Sequence, residues 1–416
     1  MRHAVVAGAG LAGLVAAERL TAAGLRVTLL EASPKAGGRC RSYRDDRLGR
    51  VIDNGNHLIL SANRAVLGWA DRIGGAGALK TRPAAFPFLD LASGARWTVR
   101  PGRGPLGALM PGARPPGVGA GALARDVARL LTARRGATVA GALGAGGPAW
   151  AAFWDPMTRA VLNEDPEAGD AGLLRAALLR SFARGAGACR PVLAPGGLGA
   201  ALVEPALAVL AAQGCLPQLR QPVRTLHGAE RVTAVETRDG RIDLAPGDVV
   251  VLALPPQHLA PLLPDLALPG PGRSIVNAHF LVPGHGLPPI LAVLGGAAQW
   301  LFARGDVVSV TVSAAERSPL GEAGRAESLD LLWPEVAAAV AAHGGRVPEA
   351  MPAARLLRER AATFDQSPVG AARRAGPRTA RPNLFLAGDH TATGLPATLE
   401  GAVLSGERAA RAALAA

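Results

Sequence analysis

A glycine-rich turn near the N-terminus restricts the fold of this chain more than any other feature of its sequence. The motif Gly8–Gly13, with glycine at its first, third and sixth positions, follows the apolar segment 4–7. A helical pattern then runs over 11–23, and a second apolar segment covers 26–31. Because two parallel strands need a crossover such as this helix, the pattern predicts a βαβ unit in an α/β protein.

The spacing of the glycines is that of a dinucleotide-binding turn. Gly8 allows a tight turn, Gly10 lets the backbone approach a pyrophosphate, and Gly13 lets the helix pack closely on the strand. The free N–H groups and positive dipole of the helix start then face the phosphates. Glu31, at the end of the second strand, is placed to accept hydrogen bonds from ribose hydroxyls.

Two distant segments resemble FAD-binding motifs of the flavin-containing amine oxidase and phytoene desaturase superfamily. In residues 31–39, flexible glycines bring Arg39 near the pyrophosphate, where a guanidinium neutralises charge. Residues 383–389 resemble the second fingerprint, in which Asp389 meets the ribityl chain or pyrophosphate. The helix opened by Leu399 then points its positive end at the flavin, where it stabilises the anionic reduced form.

The resemblance implies a non-covalent FAD, because no cysteine lies in a recognisable attachment motif. Val223 occupies the place where relatives bind the adenine through the backbone. The residues predicted to bind FAD are Gly8, Gly10, Leu11, Ala12, Gly13, Glu31, Ala32, Gly38, Arg39, Asn56, His57, Val223, Gly388, Asp389 and Leu399.

A further block narrows the resemblance to one branch. Residues 53–63 are similar to the block of the squalene-associated, FAD-dependent desaturases, which related amine oxidases replace by a Gly-rich variant without the Asn56-His57 pair. The stretches 153–163 and 193–205 agree with the same branch. The resemblance covers nearly the whole chain, and it implies a Rossmann-type α/β FAD-binding domain interleaved with an α+β substrate domain.

We expect both domains to be discontinuous in sequence. Predicted helices cover 122–134, 172–183, 328–343 and about 399–413, and predicted strands include 232–237, 248–254, 307–312 and 383–387. The FAD-binding domain is predicted at 1–80, 192–255 and 361–416. The substrate domain, with a helical insertion, is predicted at 81–191 and 256–360.

The branch implies reductive dehydroxylation of hydroxysqualene to squalene in squalene and hopanoid biosynthesis. The hydroxyl is allylic, so loss of water gives a delocalised cation that a hydride from reduced FAD quenches. This chemistry needs an acid near the hydroxyl and an apolar, water-poor tunnel. The apolar stretches 256–268 and 287–302 are candidates to line the tunnel, although core packing explains any single residue in them equally well.

Candidate acids are His57, Asp53, His390 and Glu400. His57 lies in the branch-specific block and imidazole titrates near neutral pH, but it also suits a hydrogen bond to a loop or to the flavin. Each of the other three also has a non-catalytic explanation. Asp53 can stabilise a turn, His390 can lie over the flavin edge, and Glu400 can stabilise the start of its helix. The sequence does not choose among them.

Three other functions remain open. A phytoene-type carotenoid desaturase fits residues 399–406 equally well, and only the Asn56-His57 block argues against it. An amine oxidase is disfavoured because Tyr43 is the single tyrosine, so no paired-tyrosine cage forms. A non-redox prenyl-binding protein of the same fold is disfavoured by the intact glycine turn and by Gly388-Asp389.

Charge and composition restrict the partners. The net charge is +13, but the arginines are scattered and aromatic residues make up 4%, so we expect no nucleic-acid partner. Diffuse positive charge suits an anionic membrane surface, and an apolar substrate favours peripheral contact with the inner face of the cell membrane. We therefore expect a cytoplasmic protein, with association to upstream squalene-pathway enzymes as a further hypothesis. Three cysteines without metal spacing indicate neither disulfides nor a metal site.

Overall fold

The structure is a computed structural model that describes residues 1–104, 106, 107 and 110–416. The predicted substrate segment 81–191 therefore includes three positions outside the described residues. The described α-helices are α1 Leu11–Ala22, α2 Arg64–Arg72, α3 Ala120–Leu131, α4 Val139–Leu143, α5 Asp155–Leu162, α6 Ala171–Arg180, α7 Leu198–Leu202, α8 Glu204–Ala212, α9 Pro256–Leu259, α10 Arg325–Ala342, α11 Pro368–Ala372 and α12 Leu399–Leu414.

The β-strands form two large sheets and three small ones. The strands are β1 His3–Ala7, β2 Arg26–Glu31, β3 Ser42–Asp45, β4 Arg50–Asp53, β5 Ile59–Leu60, β6 Lys80–Thr81, β7 Phe86–Asp90, β8 Arg96–Val99, β9 Pro191–Leu193, β10 Gln218–Leu219, β11 Thr225–His227, β12 Ala234–Glu236, β13 Arg241–Asp243, β14 Val249–Leu252, β15 Ile275–Leu281, β16 Ile290–Leu294, β17 Trp300–Arg304, β18 Val307–Val312, β19 Ala354–Glu359 and β20 Leu384–Leu386.

The N-terminal βαβ unit belongs to a parallel five-stranded sheet in the order β10-β2-β1-β14-β20. All five residues of β1 and all four of β14 are buried, as expected for central strands covered on both faces. Helices α1 and α12 pack together on one face in an apolar cluster with α2 and α8, and β11–β13 cover the other. The predicted Rossmann-type fold is confirmed by this sheet.

The second large sheet has the order β19-β15-β18-β17-β16-β7-β8 and is antiparallel except between β16 and β7. Alternate residues of β15 and β18 point to opposite faces. Val276, Ala278 and Phe280 pack with α10 in a second core, whereas Asn277 and His279 face the other way. The described strands of this sheet come from 86–99 and 275–359. Both ranges lie within the predicted substrate domain, whose boundaries stay a prediction.

Helical segments between β8 and β9 build a third apolar cluster, around Trp154. The predicted helix 122–134 is observed as Ala120–Leu131 and the predicted 172–183 as Ala171–Arg180. In 256–268, Leu259, Leu262 and Leu263 pack on the parallel sheet. The leucines of that stretch therefore serve as core, whereas most of its other residues are exposed. Among the described residues, none of the helices combines the length and the hydropathy that a membrane span requires.

His279 makes the stability of this fold depend on pH. Its ring is buried against Ser309, and burial lowers its pKa to about 4. In the unfolded state this histidine takes up a proton near pH 6.5, whereas the folded state disfavours that proton. The free energy of unfolding is therefore highest above about pH 6.5 and falls as the pH decreases toward 4. We expect roughly 2 kcal/mol to be lost between about pH 7.5 and pH 5 through this group alone.

Chemical unfolding across this pH range measures the effect. His279→Gln keeps a hydrogen-bonding side chain without the titration, so its stability should fall less steeply toward low pH than that of the parent. His258→Gln, at an exposed position, should follow the parent. Parallel pH profiles for the parent and His279→Gln would contradict this account.

Candidate flavin and substrate cavity

A cavity of about 1080 Å³ joins the glycine turn to the inner face of the seven-stranded sheet. Sites for one drug-sized ligand span about 300–1,000 Å³, so this cavity is at the upper end of the range for ligand-binding sites. Of the predicted FAD-binding residues, those that line it are Gly8, Gly10, Leu11, Ala12, Glu31, Ala32, Gly38, Arg39, Asn56, His57, Gly388, Asp389 and Leu399.

Each glycine of the turn has a different physical role. Gly8 has a φ of +100°, which only glycine adopts without strain. A Cβ on Gly13 would lie 1.8 Å from the carbonyl oxygen of Gly8, so this residue brings α1 against the turn. A Cβ on Gly10 would meet no atom within 4 Å, because that position faces the cavity. The cradle that a dinucleotide requires is thus present.

Glu31 is fixed beside the turn by two backbone donors. Its carboxylate accepts hydrogen bonds from the N–H groups of Ala9 and Ser33, both at 2.8 Å. These bonds leave lone pairs of the carboxylate available on the cavity side. The position at the end of β2 therefore suits ribose hydroxyls, as predicted from the sequence.

The segment after β2 brings Arg39 over the turn. Gly37, with a φ of +102°, donates its N–H to the carbonyl of Ala9 at 2.8 Å. A Cβ on Gly38 would lie 3.2 Å from the Cα of Gly10, so the two glycines permit this close approach. Arg39 and Asp389 form an ion pair of 2.8 Å within the cavity wall.

This ion pair sets the charge at the centre of the site. Asp389 raises the pKa of the Arg39 guanidinium further above its ordinary value. Burial favours the neutral form of Asp389, but Arg39 outweighs it and lowers the pKa of this carboxyl. Both groups therefore stay charged near neutral pH, and a pyrophosphate near Arg39 would share its positive charge with Asp389.

Arg374 organises the loop around Asp389, and the sequence motifs did not reveal it. Its guanidinium donates to the carbonyls of Asp389 at 3.0 Å and His390 at 3.3 Å, and also to that of Thr391. Its face lies 4.7 Å from the ring centroid of Phe364. In an arginine-rich chain, an arginine in no recognised motif carries no signal that distinguishes it.

The N-terminus of α12 opens onto the cavity at Leu399. Thr398 caps it by accepting the N–H of Gly401 at 3.1 Å. Glu400 also lines the cavity, and it reaches the start of α2, where its two carboxylate oxygens accept the N–H groups of Ala65 and Val66, each at 3.1 Å. Burial raises the pKa of Glu400. This geometry gives Glu400 a structural role between two helices, while its place in the cavity wall and its raised pKa keep it a candidate for the acid.

Asp53 is likewise committed to structure. Its carboxylate accepts hydrogen bonds from Ser42, from the N–H of Leu198 at 3.0 Å and from Arg304 at 2.8 Å. It joins β4, α7 and β17, and it is not among the residues that line the cavity. The catalytic role expected for Asp53 receives no geometric support.

His57 and His390 both reach the cavity. Burial, reinforced by Arg39, lowers the pKa of His57, and burial lowers that of His390 to about 4. Both imidazoles are therefore neutral near neutral pH. The His390 ring lies against Gly388, where a Cβ would stand 2.4 Å from it, so a side chain at position 388 is excluded.

Val223 lies outside this cavity lining. Its side chain is half-buried against the apolar cluster on the outer face of the parallel sheet. The adenine contact expected for Val223 stays a prediction. Tyr43 also lies away from the cavity, in a small cluster with Leu48, Ile52 and Val307.

Beyond the cradle, the wall formed by the seven-stranded sheet and its neighbours is largely apolar and rich in aromatic rings. Phe86 and Phe182 pack with ring centroids 5.7 Å apart, and Phe88 lies 6.5 Å from Trp300. Phe302 belongs to the same cluster. In the stretch 287–302, the residues of β16 and β17 that face inward contribute to this wall. A turn fit for a dinucleotide thus opens directly into an apolar chamber.

These features agree with the known proteins to which the chain is similar. A model of the family described as flavin containing amine oxidoreductase matches residues 11–414. The fold is that of cyclohexylamine oxidase from Brevibacterium oxydans, with a TM-score of 0.75, 15% identity and coverage of 100% of this chain and 99% of that one.

Two curated relatives are similar over nearly their whole length. A hydroxysqualene dehydroxylase of Rhodopseudomonas palustris is 43% identical over 99% of this chain and 98% of its own. One of Sinorhizobium fredii is 41% identical over 98% and 97% of the two chains. The chain therefore belongs to the flavin-containing amine oxidoreductase family, in the group formed by the hydroxysqualene dehydroxylases.

Proposed function

We propose that this chain is an FAD-dependent hydroxysqualene dehydroxylase, which replaces the hydroxyl group of hydroxysqualene by hydrogen to give squalene. The proposal rests above all on one observation, the continuity between the flavin-type cradle and an aromatic, apolar chamber. The full-length similarity to hydroxysqualene dehydroxylases supports the same substrate.

Non-covalent FAD fits the residues present. Gly10 leaves open space in front of the α1 N-terminus, Glu31 offers acceptors to a ribose, and Arg39 offers positive charge to a pyrophosphate. The N-terminus of α12 provides partial positive charge at the far end. When bound and reduced, FAD would supply the hydride that takes the place of the hydroxyl.

The residues of the chamber favour ionisation of an allylic alcohol. The hydroxyl oxygen takes up one proton and leaves as water, which turns the substrate into a transient allylic cation. The chamber must therefore hold this cation without offering it a nucleophile. Aromatic faces such as those of Trp300, Phe302 and Phe88 stabilise positive charge while excluding water. A neutral His57 can orient the hydroxyl through its unpartnered Nε2 but is not an acid near neutral pH.

The apolar substrate also supports peripheral contact with a membrane, and association with enzymes that supply hydroxysqualene remains a hypothesis. Squalene and its hydroxylated precursor dissolve poorly in water, so exchange with a bilayer shortens their path. Arginine-rich surface charge favours anionic lipid.

Anaerobic turnover tests the proposed reaction. Protein purified with its flavin and reduced with dithionite should convert hydroxysqualene to squalene, detected by mass spectrometry as loss of the oxygen atom. Gly10→Leu protein is the matched control, since it keeps the chamber but should lack flavin. Protein that leaves hydroxysqualene unchanged, yet desaturates phytoene when given an electron acceptor, would contradict the proposal.

A further inference from the structure

The inner face of the seven-stranded sheet changes from polar to aromatic along one continuous row of paired residues. Asn277 on β15 pairs with Thr311 on β18, and Thr311 pairs with Trp300 on β17. The row continues through Ala292 to Phe88. Since directly paired residues share a face, the polar end and the aromatic end belong to the same wall of the cavity.

The polar end is an ordered hydrogen-bond network. Asn56 donates through Nδ2 to the side-chain oxygens of Asn277 at 3.3 Å and Thr311 at 3.0 Å. Thr311 donates to Oδ1 of Asn277 at 2.9 Å. Two donors therefore occupy the amide oxygen of Asn277, and its Nδ2 donates to no other group of the described chain.

His57 presents a second unused polar atom at the same place. Its Nε2 is buried and has no hydrogen-bond partner among the described residues. An ideal Cβ on Gly55 would lie 3.5 Å from this Nε2 and 3.8 Å from Nδ2 of Asn277. Gly55 thus keeps open a small space flanked by both atoms. A buried polar atom without a partner is costly, and a ligand that supplies the partner removes that cost.

Several other polar side chains that line the cavity are engaged within the protein, although Nε2 of His390 is, like that of His57, buried without a partner among the described residues. Gln299 exchanges two hydrogen bonds with the backbone of Ser313, at 2.9 and 3.0 Å. Asn163 bonds the backbone of Arg273 and Ala314. Arg159 is paired with Asp155 and Asp165. The space in front of Gly55 differs from these because two available atoms on separate side chains flank it, Nδ2 of Asn277 and Nε2 of His57.

We infer that Asn277 and His57 bind the hydroxyl group of the substrate in front of Gly55, and that Asn56 and Thr311 position Asn277 for this contact. The occupant is an allylic alcohol whose hydrocarbon arms extend along the aromatic end of the sheet. This inference rests on the proposed function, and it assigns the groups that distinguish the alcohol from the hydrocarbon product.

The arrangement explains how the site would favour substrate over product. An alcohol group satisfies both atoms, because its oxygen accepts from Nδ2 of Asn277 and its O–H donates to Nε2 of His57. Squalene leaves both atoms buried and unpaired, so the two ligands differ in affinity although their hydrocarbon parts are alike. Weak binding of the hydrocarbon also favours product release. Selectivity between the two ligands, rather than activity alone, is therefore the property to measure.

Binding of both ligands to the flavin-loaded, oxidised protein tests the inference. In this state no reductant is present, and the change in flavin absorbance reports the Kd for hydroxysqualene and for squalene. We expect Asn277→Leu to raise the Kd for hydroxysqualene about tenfold and to leave the Kd for squalene unchanged. Gly55→Ala, which fills the space with a methyl group at ordinary contact distances, should have the same selective effect.

Two further variants separate a binding role from damage to the sheet. Thr311→Val keeps the shape of the side chain and removes the hydroxyl whose hydrogen bond orients Asn277. The Kd for hydroxysqualene should therefore rise, while the Kd for squalene stays the same. Ser309→Ala removes a hydroxyl two residues away on β18, where it bonds His279, and it should retain the parent selectivity. Flavin content and thermal unfolding identify any variant that misfolds.

The outcomes are distinct for the inference and for the proposed function. Unchanged ratios of the two Kd values in Asn277→Leu, Gly55→Ala and Thr311→Val would overturn the inferred site, even if the parent converts hydroxysqualene. If the parent binds hydroxysqualene with the expected selectivity but never converts it, the site stands and the proposed reaction fails.

Discussion

Replacement of Gly10 by leucine is expected to yield a folded protein that no longer retains FAD. The backbone at Gly10 has φ −72° and ψ 176°, an extended conformation that leucine adopts freely. A Cβ there meets no protein atom within 4 Å, so the new side chain enters the cavity in front of α1. It would occupy the space required by the pyrophosphate and lower FAD affinity roughly hundredfold, about 3 kcal/mol.

The measurement is the flavin-to-protein ratio after purification, together with thermal unfolding of the apo-protein. Gly68→Leu is a matched control, because Gly68 lies exposed on α2, and a Cβ there also meets nothing within 4 Å. It should keep its flavin. Full flavin content in Gly10→Leu would contradict the assignment of the cavity.

Gly13→Leu should behave differently from Gly10→Leu. Its Cβ would collide with the carbonyl of Gly8 at 1.8 Å, so the helix could not close on the turn. We expect the folded protein itself to be lost, which separates the glycine that shapes the fold from the glycine that admits the cofactor.

Replacement of Asp53 by alanine is expected to destabilise the fold by about 3 kcal/mol, because it leaves Arg304 and other donors without their buried acceptor. Asp53→Asn should cost less, roughly 1 kcal/mol, since its amide oxygen still accepts a hydrogen bond. Turnover per bound flavin in Asp53→Asn should stay within about threefold of the parent, a difference well below 1 kcal/mol.

Denaturant unfolding and turnover per flavin, measured on the same samples, distinguish the two roles of Asp53. Asp306→Asn offers a control on the surface, where Asp306 and Arg50 form an ion pair whose side chains are 29% and 48% exposed. It should leave stability unchanged, as exposed pairs contribute little. Normal stability with a severe loss of turnover in Asp53→Asn would restore Asp53 as a candidate acid.

The predictions from sequence were strongest where local geometry and chemistry coincide. The glycine turn, Arg39 and Asp389 each follow a recognisable strand end, and the structure brings all of them to one cavity. Helix α12 also began at the predicted Leu399. The acids were harder to rank, because a carboxylate that braces two helices and one that donates a proton have the same sequence signature.

Residues distant in sequence escaped prediction for a related reason. Asn277 and Thr311 meet only because β15 and β18 pair in one particular register, and a shift by one residue would turn both into the core. Arg374 acts through backbone carbonyls, which carry no residue identity. Neither the Asn277–Thr311 contact nor the contacts of Arg374 can therefore be recognised from the order of residues along the chain.

The glycine turn and the cavity beyond it depend on different kinds of information, the local sequence and the tertiary structure. The sequence by itself determined a βαβ unit with a dinucleotide cradle, because backbone freedom at Gly8 and the absence of a side chain at Gly10 are local properties. Only the tertiary structure decided what lies beyond the cradle. Pairing of β15, β18 and β17 puts polar Asn277 and aromatic Trp300 on the same wall, and packing between distant segments brings Asn277 beside Gly55. Such long-range contacts, unlike a turn, are not encoded in neighbouring residues.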